Sequence, residues 1–307
     1  MDGSKRERVA IGACADLAGS ARAFYQLTKP RVVALLVLTA WVGMMLASEG
    51  VPDLGLILVA SLGIAMVSGA AAAFNHVLDQ KIDARMARTR LRPLPDGRLS
   101  SAQALSFAFT LAASGFVLLL VAVNPLTAVL TLAGLFGYAV IYTVLLKRAT
   151  PQNIVIGGVA GALPPVLGWA AVTGTVGAEA WLLMMIIFTW TPPHFWALAI
   201  HRVDDYARAG LPMLPVTHGI DFTKTLVLLY TCLLLAVCLL PYLVGMSGVL
   251  YLAGSLALNL QFLRHAWRLK FAARPDTAIR TFRFSITHLM LLFLLLLVDH
   301  YSAWSLG

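Results

Sequence analysis

Residues 54–97 read LGLILVASLGIAMVSGAAAAFNHVLDQKIDARMARTRLRPLPDG. A run long enough to cross a bilayer as a helix, roughly 20 apolar residues, passes directly into a crowd of carboxylates and bases. Asn75, Asp79 and Asp83 stand at i, i+4 and i+8, a spacing that projects all three down one face of a helix. Hard oxygen donors on one stripe suit a magnesium ion, Mg2+. Lys81, Arg85, Arg88, Arg90 and Arg92 follow at once, and they are the partners a phosphate group needs once a metal has neutralised part of its charge. The same arginines also serve as ordinary topology signals, because basic residues collect in cytoplasmic loops. The carboxylates have no such ordinary role, since ionisable groups at membrane depth are costly and mark function.

Outward from this stretch the composition is that of a membrane protein. The 307 residues are 60% hydrophobic and 12% charged, against about one quarter charged in soluble domains. Reading for runs of about twenty apolar residues gives nine spans, at 32–48, 54–77, 103–123, 126–146, 153–173, 178–200, 223–245, 248–266 and 282–300. The expected fold class is all-α, a polytopic membrane protein of about nine transmembrane helices. Residues 1–29 are expected to form a cytoplasmic N-terminal tail, and 30–307 a single transmembrane domain. All 23 Lys and Arg residues fall before the first span or around the loops after even-numbered spans, while Glu49, Asp53, Glu179 and Asp299 lie on the other side with no base. That asymmetry puts the N-terminus in the cytoplasm and the C-terminus opposite. The net charge of +9 follows topology and does not point to nucleic acid; the surrounding partner is the lipid bilayer. Cys14, Cys232 and Cys238 have no metal-ligand spacing. Residues 1–29 carry Asp2, Glu7 and Asp16 and no apolar core, so neither a signal nor a transit peptide is read there. A bacterial cytoplasmic membrane is the expected location.

Helix breakers concentrate in two spans. Gly157, Gly158, Gly161, Pro164, Pro165 and Gly168 lie in the fifth, where they allow close helix approach and a bend or break. The sixth holds Thr191, Pro192, Pro193 and His194; the prolines fit either a packing kink or a site. Just after it comes HRVDDYARAGLPMLPVTHG, 201–219, in which His201 and Asp205 are i, i+4, Asp204 is adjacent, and Arg202 and Arg208 repeat the acid-beside-base arrangement. Both acidic clusters thus belong to one side of the bundle.

Four segments go further: Asn75-x-x-x-Asp79-x-x-x-Asp83 running into Met86, Arg88, Thr89, Arg92 and Pro93; Tyr142-Thr143 followed by LKRATPQNIVIGGVAGALPPVLGW, 146–169; TPPHFWALAI, 191–200; and Asp205-Tyr206 followed by AGLPMLPV, 209–216. Together they resemble the intramembrane prenyltransferases of the UbiA superfamily, and within it the branch that farnesylates haem, over nearly the whole chain from Leu27. The resemblance implies a UbiA-type bundle and a prenyl transfer from farnesyl diphosphate to a vinyl group of haem B (protohaem IX), with Mg2+ held between the two acidic motifs. It implies Asn75, Asp79 and Asp83 as the first metal and diphosphate cluster, and Asp205 with Asp204 as the second. Arg88, Arg92 and Lys147 match diphosphate-binding positions; Lys81, Arg85, Arg148 and Arg202 are helpers by charge. Gln80 and Lys81 stand where many relatives carry Arg then Asp, which removes one ligand. Ala209 stands where the wider superfamily has a second-motif Asp. His194 is a candidate haem contact, to iron or a propionate, and His201 a second one or a partner of Asp205. Trp169, Trp190 and Trp196 fit either porphyrin stacking or interfacial anchoring. A downstream haem-modifying or oxidase-assembly protein is a further possible partner. The competing readings are a quinone-precursor prenyltransferase, against which the third and fourth segments speak, and a small transporter, whose site would lie nearer the midplane.

Overall fold

The computed structural model describes residues 19–86, 89–272 and 274–304. Its elements, in order, are α1 Gly19–Leu27, α2 Pro30–Leu46, α3 Leu54–Leu78, α4 Gln80–Asp83, α5 Ser101–Ala122, α6 Pro125–Phe136, a π-helix Gly137–Leu146, α7 Lys147–Ala149, α8 Asn153–Ala162, α9 Pro164–Thr173, α10 Ala178–His201, α11 Val203–Arg208, α12 Leu214–Thr217, α13 Ile220–Leu243, α14 Val249–Phe271 and α15 Thr277–Trp304. No strand occurs among the described residues.

Local chemistry sets the boundaries. Asp53 accepts the Leu56 N–H at 2.8 Å and starts α3. Ser100 and Gln103 form a reciprocal capping box on α5. Asn124 caps α6 ahead of Pro125, and Gly174, in the left-handed region at φ 68°, ends α9. Successive passes are neighbours around a ring, α2 on α3, α3 on α5, then α6, α8, α10, α13, α14 and α15, and α15 returns to α2. The last contact is tied by His300 Nε2 to the Ser48 carbonyl at 3.0 Å and by the Tyr301 hydroxyl to the Met45 and Gly50 carbonyls, each at 3.3 Å. Asp299 also accepts the Gly248 and Tyr251 N–H groups, at 2.5 and 3.0 Å, and so caps α14.

The perimeter is apolar: Leu58, Leu62, Val117, Val121, Phe136, Leu229 and Leu260 are all exposed, as expected where lipid is the solvent. Seven helical units are long and apolar enough to cross a membrane, eight counting α1 and α2, which meet at a 49° bend. The chain is a multi-pass membrane protein. Each of the nine expected spans falls on a helix or a broken helix among the described residues, with shifted ends, but seven or eight of them meet the requirement for crossing a membrane, so nine is approximate. The eighth, α14, falls short on composition because Asn259, Gln261, Arg264 and His265 interrupt its apolar run. Two expectations about breakers divide. The fifth span does divide, at Leu163 between α8 and α9, whereas Pro192 and Pro193 lie inside an unbroken α10. Ahead of the expected domain start, Ala23 and Leu27 of α1 are buried with Ala73, Leu94 and Ala108.

Inside the ring α9 lies against α2 backbone to backbone. A Cβ on Gly168 would run into the Ala40 carbonyl oxygen, which cannot move without displacing α2. Gly161, in α8, has open space around the same position. Gly168→Ala should therefore destabilise the protein by about 1–3 kcal/mol, the usual range for overpacking. Gly161→Ala should be neutral or stabilising by up to about 1 kcal/mol from helix propensity. Thermal melting of both variants in one detergent checks this; equal midpoints would contradict the backbone contact.

Candidate active site

The first acidic motif sits where α3 ends. Helical hydrogen bonding carries across the break, with Asp79 N–H on the Asn75 carbonyl at 2.9 Å and Asp83 N–H on the Asp79 carbonyl at 2.8 Å, so the i, i+4, i+8 stripe survives although α3 stops at Leu78. Asn75, Asp79 and Asp83 are all buried, at 4%, 1% and 4% exposure. Each has a cation of its own. Lys29 Nζ donates to Asn75 Oδ1 at 2.5 Å, Lys147 Nζ to Asp79 Oδ2 at 2.5 Å, and Arg92 to Asp83 Oδ2 at 2.6 Å. The Asn75 amide donates onward to Asp79 Oδ2 at 2.8 Å and to Thr143 Oγ1 at 3.1 Å. Thr89 Oγ1 donates to the Asp83 carbonyl at 2.8 Å, and His76 Nδ1 lies 4.0 Å from Asp83 Oδ2.

The π-helix explains how the fourth pass reaches this cluster. Tyr138 receives Lys29 Nζ on its hydroxyl at 3.3 Å, Thr143 meets Asn75, and Lys147 meets Asp79. In an α-helix each residue turns about 100°, so positions nine apart, as 138 and 147 are, point in opposite directions. The wider i→i+5 winding of residues 137–146 brings 138, 143 and 147 to one side. Thr143 Oγ1 closes the same register by donating to the Tyr138 carbonyl, five residues back, at 2.8 Å. Tyr142 packs its ring over Gly157, where any Cβ would collide with it.

Lys29 is aimed by its backbone. It sits at φ 49°, the one positive φ outside glycine among the described residues. Pro30 behind it disfavours the right-handed helical region, and a left-handed residue costs roughly 1–2 kcal/mol.

The structure thus joins Asn75, Asp79, Asp83, Arg92 and Lys147, and adds Lys29, Tyr138 and Thr143, for which the sequence reading assigned no role. Lys81 and Arg85 are exposed: two residues either side of the inward Asp83, they point away from it on a helical turn. Arg88 lies outside the described residues, as does the side chain of Arg148. In the second motif Asp204 and His201 are exposed. Asp205 is held by the arginines of its own segment, Arg208 at 2.5 Å and Arg202 at 3.5 Å. The Arg208 hydrogen bond keeps the Asp205 carboxyl below the ordinary carboxylate range, so it is ionised at neutral pH. The two loops do meet through apolar packing, since Met86 shares one core with Tyr206, Ala209 and Leu211. Their carboxylates do not converge: among the described residues no group of three or more His, Cys, Asp or Glu side chains is placed to hold a metal.

A divalent cation fits the first motif alone. Asp79 Oδ1 is buried and has no hydrogen-bond partner among the described residues, an oxygen left over beside two further oxygen-bearing side chains. Mg2+ takes one or two carboxylates and fills its shell with water and phosphate oxygens, so this donor set suits it better than a metal needing an all-protein cage.

His194, on α10, is buried in an aromatic stack, 4.2 Å from the Trp190 ring and 4.6 Å from Phe282. Its Nδ1 lies 2.6 Å from Ser285 Oγ, a contact that fits either imidazole tautomer, and the same hydroxyl reaches the Phe282 carbonyl at 2.7 Å. When the hydroxyl donates to that carbonyl, His194 Nδ1 is the protonated nitrogen and Nε2 carries the lone pair. Trp190 Nε1 donates to the Ser285 carbonyl at 2.9 Å, and Trp196 is fully buried against Tyr230, so neither indole is an interfacial anchor.

A model of the UbiA prenyltransferase family matches residues 36–297. A protein from Colwellia psychrerythraea called protoheme IX farnesyltransferase is 62% identical over 280 residues, 91% of this chain and 92% of that one. A solved structure concerned with digeranylgeranylglyceryl phosphate synthase in membranes superposes with a TM-score of 0.77 at 18% identity, covering 92% of this chain and 98% of that one. A UbiA homologue from Archaeoglobus fulgidus bound to GPP and Mg2+ gives 0.59 at 15% identity, over 89% and 99%. The two structures share this fold.

The Asp79–Lys147 pair is buried on the carboxylate side and 18% exposed on the other. Asp79→Asn alone should lower the melting temperature, because it leaves the ammonium without its counter-charge. Adding Lys147→Gln should recover part of the loss, with a coupling of about 1–3 kcal/mol. Additive effects of the two substitutions on melting would dissolve the pair.

Proposed function

We propose that this chain, which belongs to the UbiA prenyltransferase family, transfers the farnesyl group of farnesyl diphosphate to a vinyl group of haem B, with addition of water, to give haem O and its hydroxyethylfarnesyl side chain. The observation that carries the reaction type is the buried Asn75–Asp79–Asp83 stripe ringed by Lys29, Arg92 and Lys147. The choice of haem rests on the 62% identity to a protein of that name.

The chemistry starts with heterolysis of the farnesyl C–O bond, whose electron pair leaves with the diphosphate. The vinyl group of haem B then attacks the allylic cation through its terminal carbon. Water adds at the new carbocation next to the porphyrin and loses a proton. The protein's main task is to stabilise the departing anion and keep water from the first cation. Asn75, Asp79 and Asp83 would hold Mg2+; Asp205 and Asp204, which stand apart from them with Asp205 paired to Arg208 and Arg202, would join as second-motif donors only once the two loops close on the bound diphosphate. When bound, the metal neutralises part of the diphosphate charge and makes it a better leaving group. Lys147 and Arg92 then have a second anion to turn to. Lys29 is placed to join them; Lys81, Arg85 and Arg202 add positive charge in the same two loops, and Arg88 and Arg148 are assigned as further phosphate partners from the sequence alone. For the acceptor, His194 offers Nε2 to haem iron or a propionate, and His201, two turns further along α10 on the same face, is the outer candidate.

In the sequence all Lys and Arg fall before the first span or around the loops after even-numbered spans, and the Asn75–Asp83 motif belongs to one of those loops. By the positive-inside rule those loops are cytoplasmic, with the N-terminus on their side and the C-terminus opposite, in a bacterial inner membrane. The boundary between tail and domain is placed ahead of α1 and not at residue 29, because Ala23 and Leu27 pack into the bundle. A product this apolar would be passed to a haem-modifying or oxidase-assembly partner within the bilayer.

The test is conversion of haem B by the purified protein with farnesyl diphosphate, with and without Mg2+, read by mass spectrometry of the extracted haem. A Mg2+-dependent gain of farnesyl plus water is expected. Absence of a haem product from protein that binds farnesyl diphosphate would redirect the reading to aromatic acceptors. His194→Ala and Ser285→Ala should each raise the KM for haem B at least about tenfold, the order for losing one fixed contact of about 1.4 kcal/mol, with the KM for farnesyl diphosphate little changed. Equal effects on both substrates would mark His194 as structural.

A further inference from the structure

The turn joining α14 to α15 encloses a cavity of about 250 Å³ lined chiefly by His265, Arg268, Arg274, Asp276, Thr277 and Arg280. None of these residues shares a hydrogen bond or ion pair with the Asn75–Asp83 cluster. Thr277 Oγ1 accepts the Arg274 N–H at 2.8 Å and shapes the turn. Arg280 is ion-paired with Asp276, whereas Arg268 and Arg274 have no carboxylate partner among the described residues. From Arg264 to Arg283 there are six Lys or Arg residues against the single Asp276. Beside the cavity the surface changes character. Trp267 and Phe271, 4.3 Å apart between ring centroids, are 56% and 59% exposed, and Leu260, two turns back on the same helix, is 56% exposed.

A cationic cavity opening beside an apolar, outward-facing strip matches one kind of molecule, an amphiphile with an anionic head. We propose that this cavity binds the phosphate headgroup of an anionic phospholipid, with its acyl chains lying along Leu260 and Trp267. Arg268 and Arg274 grip the phosphate oxygens, and Arg280 is kept in place by Asp276. The location suits a lipid and not a soluble anion. The guanidinium groups stand at the end of α14 beside exposed aromatic side chains; at the headgroup level of a bilayer each basic residue adds measurably to attraction for anionic lipid, and Trp and other aromatic side chains settle at that level.

The experiment places the full chain in nanodiscs of phosphatidylcholine alone or with phosphatidylglycerol, and reads thermal melting together with lipid retained in native mass spectrometry. Phosphatidylglycerol should raise the melting temperature and remain as an adduct, and phosphatidylcholine should do neither. Arg268→Gln/Arg274→Gln should lose retention by roughly 10- to 30-fold while melting like the parent in phosphatidylcholine. Should that double variant fail to fold, Arg274→Gln alone, at an exposed turn position, is read by the same criteria. Equal melting in the two bilayers, or adducts retained by the variants, would overturn the site. A matching shift from millimolar inorganic phosphate in detergent would overturn the lipid and leave a free-anion pocket.

Discussion

One cation for each buried oxygen donor is the arrangement on which the site end of this bundle depends. Taking a carboxylate out of water costs several kcal/mol unless an opposite charge and hydrogen bonds replace the solvent, and Asp79 and Asp83 are almost wholly enclosed. The neutralising groups come from three separate places: Lys29 from the entry to α2, Arg92 from the loop after α4, and Lys147 from the end of the fourth pass. Much of the local backbone exists to deliver them. The left-handed turn at Lys29 and the π-winding of residues 137–146 are both locally unfavourable, and each ends in a contact with the same motif. Backbone strain of that kind persists where surrounding structure over-determines it, and it gathers at functional sites.

The same arrangement separates holding a charge from using it. Asp79 gives one oxygen to Lys147 and Asn75 and keeps the other unpaired. The protein is therefore stable with its ammonium groups turned inward, yet retains a ligand oxygen that needs no rearrangement. The second motif is built differently, with Asp205 bound to arginines three residues away on its own segment. It approaches the first only through the apolar contact of Met86 with Tyr206 and its neighbours, so the two loops share packing before they share charge.

What could be read from the sequence was what is local. The succession of long apolar helices follows from hydropathy, and the Asn75–Asp79–Asp83 stripe from helical period. Arg92 was legible as a nearby base and Lys147 by resemblance. What escaped was set by distance along the chain and by an unusual winding. Lys29 meets Asn75 across 46 residues, and Thr143 meets it across 68. An α-helical reading of the fourth pass would turn Tyr138 and Lys147 to opposite sides, and nothing in GYAVIYTVLL announces a π-helix. The partner of His194 was equally hidden, because Ser285 meets it across 91 residues. Lys81 and Arg85 looked equivalent to Arg92 as charges, and only the inward turn of Asp83 separates them.

The closing tie of the ring, Asp299, His300 and Tyr301 against α14 and the end of α2, carries a consequence for biosynthesis. Every residue of the anion cluster, from Lys29 to Lys147, leaves the ribosome before the first residue of α8, while the tie is among the last segments to be made. Since chains fold from the N-terminus as they are synthesised, the anion-binding half can assemble while α10 and α15, which together hold His194, are still apart. The aromatic stack around His194 is then completed by the same event that shuts the ring, so a nascent chain has its charged half organised well before α10 and α15 enclose that histidine.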